Sequence, residues 1–492
     1  MFSNRQHINI RTIIRLLGLL LLIEAAFMLA PLAVCYIYDE FEEAKSFIYS
    51  IAITAASGLA ITLFVRTQNN DMGKREGFLI TSLTWVVFSL FGMLPFIFGG
   101  TQMSVSDAFF ETMSGLTTTG VSAITSVEDA SHGILMWRAI THFIGGMGII
   151  LFTLAVLPML NKQSGIQLFN AEVTGITHDK LRPRISHTAK SLWLIYLALN
   201  AILIVLLWVG PMNLFDAVCH SFATISTGGF STKNASIAAY DSVYVNNVIT
   251  FFMFLSGVNF ALIFKATHGN FKALYKNDTF RWYFTITIVV FALILATCYF
   301  STSNPINLKR ISIILFQTVS AITSTGFSVS DLTIWHGIAL LSICFVIFTG
   351  ACAGSTTGSV KIDRVVLIFK NLRSEVYKTL HPNTIVPIRV NEKVVSNDVI
   401  SKVVTFLLFF IIFIFIGTMF LLGTDPQMSL FDSFFAVLSC LCNNGLGHGF
   451  TASSYAGISE AGKWVLSFLM LVGRLEVFTV IILFTHTFWS KE

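Results

Sequence analysis

Four stretches of this sequence follow one plan, and the rest of the chain must fold so as to hold them. They are DAFFETMSGLTTTGVS (107–122), DAVCHSFATISTGGFS (216–231), IILFQTVSAITSTGFS (313–328) and DSFFAVLSCLCNNGLG (432–447). Aligned without gaps, each has glycine at its fourteenth position: Gly120, Gly229, Gly326 and Gly445. Three of them open with aspartate, Asp107, Asp216 and Asp432. An apolar run of about three helical turns follows in each, then a Thr/Ser/Asn-Gly loop. Self-similarity of this kind indicates a repeat architecture.

The surroundings of the four stretches decide what they can be. With 54% hydrophobic and 12% charged residues in 492, the chain has about half the charge of a soluble domain and reads as a polytopic membrane protein. Ten runs reach the ~20 apolar residues that a crossing needs. They lie near 12–37, 47–65, 78–99, 133–159, 190–209, 245–264, 282–300, 336–360, 398–422 and 463–487. The four repeated helices fall between these runs and are too short to cross, so they are expected to be re-entrant. Irregular backbone at membrane depth is tolerated only where protein or water covers it, which places the glycine loops around a wet central axis.

These assignments predict an all-α membrane protein. An N-terminal hairpin (1–77) precedes four units of helix, short helix and helix (78–189, 190–279, 280–396 and 397–492) in pseudo-fourfold arrangement. The repeat glycines are 109, 97 and 119 residues apart, so the units share a plan without being copies. With the N-terminus inside, 24 of the 31 Lys and Arg residues fall on the cytoplasmic side. Both termini are therefore expected in the cytoplasm and the glycine loops on the outer side. The N-terminal apolar run is too long for a signal peptide and is read as the first span. The seven cysteines lie in or beside apolar runs and suggest neither a disulfide framework nor a metal site. No nucleotide-binding motif or soluble catalytic domain stands out, and nothing points to nucleic acid.

The loop chemistry suits a cation. Backbone carbonyls can replace an ion's hydration shell without a fixed charge to trap it, and glycine permits the conformations that turn carbonyls inward. The candidate binding residues are Thr118, Thr119 and Gly120, then Thr227, Gly228 and Gly229, then Ser324, Thr325 and Gly326, then Asn443, Asn444 and Gly445. No carboxylate or basic group lies among them, which favours a monovalent, weakly hydrated cation over a divalent ion or an anion. The carboxyl end of each short helix, the negative end of its dipole, points the same way.

HSFATISTGGFST at the second loop, GACAGSTTGS in the eighth span and GRLEVFT in the last make the sequence resemble the TrkH/KtrB superfamily of potassium transporters. The N-terminal hairpin makes it most similar to the TrkH branch. The resemblance covers almost the whole chain. It implies potassium uptake through a short filter in a bacterial cytoplasmic (inner) membrane and a homodimer with one pore per protomer. It also implies a TrkA-like cytoplasmic regulatory subunit that carries the nucleotide, NAD or ATP/ADP, this chain having no cofactor of its own. The fourth loop departs from the common family form, with Leu446-Gly447-His448-Gly449 after the filter glycine.

Two further features bear on gating. Gly350, Ala353, Gly354, Ser355, Thr356, Thr357 and Gly358 interrupt the eighth span with small residues. Either they let helices approach closely or they unwind beneath the loops, and the resemblance implies the second, a gate. Arg474 lies about 16 Å into the last span at 1.5 Å per residue, where a charge normally faces a cavity or a partner. We read it as an electrostatic barrier on the pathway rather than as a partner of Glu476. Arg138 is read as structural, either snorkelling outward or paired with Glu111, and Glu24 as a buried helix-packing group. The competing readings are a sodium-selective or sodium-coupled transporter on the same scaffold and a polytopic membrane enzyme. The enzyme would need convergent ionisable residues that the spans do not offer.

Overall fold

The long apolar runs fold as helices, and the breaks between and within them carry most of the architecture. In the computed structural model, which describes residues 8–65, 73–156, 185–301, 307–384, 386–391 and 393–490, six helices are long and apolar enough to cross a membrane. They are Ile10–Ile37, Phe41–Phe64, Arg75–Phe98, Lys190–Val209, Asp278–Phe300 and Asn397–Thr424. Their outward faces expose large apolar side chains such as Leu59, Phe284, Leu408 and Phe415, the surface expected against lipid.

The remaining four expected spans differ from simple rods. The fourth is helix His132–Val156, and its continuation lies outside the described residues. The sixth and tenth are bent pairs, Val243–Ser256 with Phe260–Thr267 at 102° and Glu460–Leu475 with Val477–Phe484 at 115°. The eighth is helical only over Gly337–Thr349; residues 350–361 are irregular, and the helix resumes as the amphipathic Ile362–Leu380. The expected interruption is therefore present. The small residues there leave the helix little propensity, and Gly350 and Gly354 take positive φ of 67° and 77°.

The N-terminal hairpin packs its two helices closely, because a Cβ on Gly58 would stand 2.8 Å from the Gly18 carbonyl oxygen. Its acidic connection does more than face solvent. A Glu40 carboxylate oxygen accepts from the His132 N–H at 2.8 Å and the other from Gly133 N–H at 3.1 Å, capping a helix whose positive end favours an anion. Glu43 accepts from the Gly100 N–H at 3.0 Å. Two carboxylates thus tie the hairpin to the first unit. Glu24 is buried where Gly92 and Trp137 come together, in keeping with its helix-packing assignment. Among the basic stretches on the expected cytoplasmic side, the described residues of 371–396 include the end of Ile362–Leu380 and an antiparallel strand pair that sets Arg389 beside Val394, whereas 157–184 lies outside the described residues.

Candidate functional site

The four short helices begin alike. Val105–Leu116, Leu214–Ile225, Leu308–Ile322 and Leu430–Leu441 are each capped by a side-chain oxygen, of Ser104, Asn213, Asn307 and Ser429. Each oxygen accepts from a backbone N–H three residues on. In three of them that N–H belongs to Asp107, Asp216 or Asp432, which explains the aspartates that open the repeats. The third helix starts one turn earlier and has Arg310 at that place.

They also end alike. The N–H groups of Thr119, Gly228, Thr325 and Asn444 bond back to the carbonyls of Ser114, Ala223, Ser320 and Ser439 at 2.8–3.0 Å. The residues just before them bond to Gly115, Thr224, Ala321 and Cys440, completing the double closure of a Schellman motif. Such a closure needs one left-handed residue, here Thr118, Thr227, Ser324 and Asn443 at φ of 50–55°. None of these is glycine, so the loop glycines are not the helix caps. They stand two residues further on, with φ of 80–87°.

What the glycines face is the decisive geometry. A Cβ on Gly120 would stand 2.0 Å from the carbonyl oxygen of Gly228, and one on Gly229 2.0 Å from that of Thr325. On Gly326 it would stand 2.1 Å from Asn444 O, and on Gly445 2.3 Å from Thr119 O. Each loop therefore presses its glycine against the carbonyl before the next loop's glycine, in the order one, two, three, four and back to one. The twelve candidate binding residues come together in one closed ring. In every loop the three residues before the glycine are buried and only the glycine is partly open. The ring carries no ionised side chain.

Polar contacts behind the ring join neighbouring loops. Thr119 Oγ1 and Thr117 Oγ1 lie 2.8 Å apart, as do the hydroxyls of Thr325 and Thr323. The Asn443 amide donates to Thr119 Oγ1 at 2.9 Å, tying loop four to loop one, and the Asn444 amide donates to Ala321 O at 2.7 Å, tying four to three. Arg138 and Glu111 form a buried ion pair at 2.7 Å. Through it Arg138 also donates to Ser231 O at 3.0 Å, and Glu111 accepts from the Ala123 N–H at 2.8 Å, so one pair holds the exits of loops one and two. Of the two alternatives for Arg138, pairing is the one found.

The odd fourth loop has a local explanation. Where the first three helices carry Glu111, His220 and Gln317 to bond the chain leaving the loop, the fourth has Ala436. His448 supplies the missing contact from the other side, with Nδ1 2.8 Å from Asp432 Oδ1. Burial pushes the Asp432 carboxyl up, but hydrogen bonds from His448 and Ser429 outweigh it and hold it below the usual carboxylate range. It stays ionised, as a helix amino terminus favours.

Beneath the ring, the irregular segment 350–361 meets three of the four loops. Thr227 Oγ1 donates to Thr356 Oγ1 at 3.2 Å, and the Ser324 and Ser359 hydroxyls are 3.0 Å apart. Ser359 also donates to Cys442 O at 3.2 Å, and a Cβ on Gly358 would stand 2.4 Å from that same carbonyl oxygen. Ser355 bonds within the segment, to Cys352 O and to Thr357 Oγ1. Arg474 donates to Thr356 O at 2.8 Å and to Gly145 O at 2.6 Å, bridging the segment to helix His132–Val156. Glu476 instead pairs with Arg364, as its separation from Arg474 suggests. The bend at 257–259 joins the same cluster: Asn259 donates to Ala353 O at 2.7 Å, and the Phe260 N–H to Gly354 O at 3.0 Å.

Sequence reasoning missed Asn259, the break at Glu476 (φ 63°) and His142. Asn259 lies in an otherwise apolar run, and its only local signal is the preceding Gly257. Glu476 had none.

Comparison with known proteins identifies the family. A family model described as TrkH, a cation transport protein, matches residues 40–491. The chain belongs to the TrkH family. It is 35% identical to the Trk system potassium uptake protein TrkH of Escherichia coli K12, over 98% of this chain and all of that one. To the protein of that name from Vibrio parahaemolyticus it is 36% identical, over 98% of this chain and 99% of the other. The crystal structure of the potassium transporter TrkH from Vibrio parahaemolyticus superposes with a TM-score of 0.89 at 33% identity, covering 98% of this chain and all of that one. As a member of the TrkH family the chain is a multi-pass membrane transporter and not an enzyme.

Proposed function

We propose that this TrkH-family chain takes up potassium through the ring, the twelve loop residues forming a selectivity filter. The observation that carries the reading is the cyclic approach of each glycine to its neighbour's carbonyl. It brings uncharged oxygens from four loops to one axis, the arrangement that replaces the water around a weakly hydrated cation. The family relatives are named for potassium uptake, which favours potassium over sodium as the substrate. Ions enter from outside, lose water at the ring and pass a gate formed by 350–358 and Arg474. The membrane potential contributes about 2.3 kcal/mol per charge per 100 mV, so inward flow requires no hydrolysis by this chain.

The same reading puts both termini in the cytoplasm of a bacterium, divides the chain into the hairpin and four units set out above, and pairs two protomers. The amphipathic helix Ile362–Leu380, with its basic residues, is the natural cytoplasmic face for a nucleotide-binding regulatory subunit. Ion flux into liposomes tests the filter. Gly120→Ser or Gly229→Ser forces a side chain onto a neighbouring carbonyl and is expected to admit sodium. An unchanged potassium-over-sodium preference in both variants contradicts the assignment.

A further inference from the structure

His142 stands on helix His132–Val156, fully buried between loops one and two. Its Nδ1 is 2.8 Å from the Gly115 carbonyl oxygen, and its Nε2 is 3.1 Å from the backbone nitrogen of Phe230. A carbonyl only accepts and a backbone N–H only donates, so both contacts are satisfied by one form of the ring: neutral, with the proton on Nδ1. The ring stacks on Phe230, with centroids 4.1 Å apart. It also fills the space where a Cβ on Gly228 would fall, 2.5 Å from the imidazole. This contact accounts for the second glycine of loop two, which the other loops lack.

We infer that His142 is a selectivity-determining positioning residue, which aims the Gly229 carbonyl at the axis by holding the far side of its peptide. The N–H of Phe230 and the C=O of Gly229 belong to one planar trans peptide and point in opposite directions. Fixing the N–H on His142 Nε2, behind the loop, turns the oxygen away from His142. Among the described residues, no side chain accepts from the corresponding N–H groups of Val121, Phe327 or Leu446. Loop two is thus, among the described residues, the one in which the peptide directly after the filter glycine is held by a side chain, and the lock is anchored on the end of the first short helix.

The inference rests on the filter reading, and its test keeps the two apart. Potassium and sodium fluxes are measured in liposomes holding the purified full-length chain, for the parent, Gly229→Ser, His142→Leu and His142→Gln. Leucine fills the space but offers neither donor nor acceptor, and the potassium-over-sodium ratio is expected to fall about ten-fold, as for one buried hydrogen bond left unmade. Glutamine keeps both an amide NH2 that donates and a carbonyl oxygen that accepts, on a neutral side chain, and its ratio is expected to stay within about two-fold of the parent. A parental ratio in His142→Leu beside a lowered one in Gly229→Ser overturns the role of His142 and leaves the filter standing. Parental ratios in both overturn the filter and the inference together. Should His142→Leu not fold, His142→Phe, which keeps a flat ring and likewise offers neither donor nor acceptor, takes its place with the same expected fall and the same overturning outcome.

Discussion

At the scale of single residues, the ring depends on a few buried polar groups that each serve two loops. The Arg138–Glu111 pair is one of these, almost wholly removed from water. Removing one partner of such a pair leaves a buried charge unmatched and typically costs about 3–5 kcal/mol. Arg138→Met or Glu111→Leu is therefore expected to lower the thermal midpoint of the detergent-solubilised protein sharply, whereas the double variant regains much of the loss. A double variant as unstable as the singles would mean that the contacts to Ser231 and Ala123, and not the charge pair, hold the loop exits. Arg474 acts between elements, through its bonds to Thr356 O and Gly145 O. Arg474→Ala is expected to raise potassium flux without a regulatory partner; flux at the parental level would remove it from the gate.

At the scale of elements, what could be read in the sequence follows from what local chemistry encodes. The four short helices were legible because an apolar run and a loop glycine recur in register, with an aspartate opening three of the four, and each is a property of its own short stretch. The interruption at 350–361 was legible because ten small residues in a row, three of them glycine, weaken a helix locally. The other two bends were not. Val258 and Asn259 sit in an apolar run that satisfies a span's pattern, and Glu476 is a good helix former that nonetheless takes a positive φ where it pairs with the distant Arg364. His142 was silent for the same reason, since a histidine in a span acquires meaning only from the carbonyl and N–H that two distant loops present to it. Asn259 offers a test at this scale. Its side chain caps Phe260–Thr267 and holds Ala353 O, so Asn259→Ala loses a cap worth about 1 kcal/mol together with one tie on the irregular segment. Higher flux at an unchanged potassium-over-sodium ratio is expected, the signature of a loosened gate beneath an intact filter. A changed ratio instead would mean that segment 350–361 and the ring act as one body.

At the scale of the molecule, four non-identical loops of one chain close a ring in which no two are braced alike. Loops one and two share Arg138–Glu111 and His142, loop four reaches both neighbours through asparagine amides, and loops two, three and four rest on the segment below. A single chain can place a different residue behind each carbonyl, which four identical subunits cannot. The most direct test of the central claim is to locate the ion. Crystals of the protein soaked in thallium or rubidium, both large weakly hydrated monovalent cations, are expected to give an anomalous peak on the axis among the carbonyl oxygens of Thr119, Gly228, Thr325 and Asn444. A well-ordered ring with no peak there, or with the peak at another site, would contradict the account.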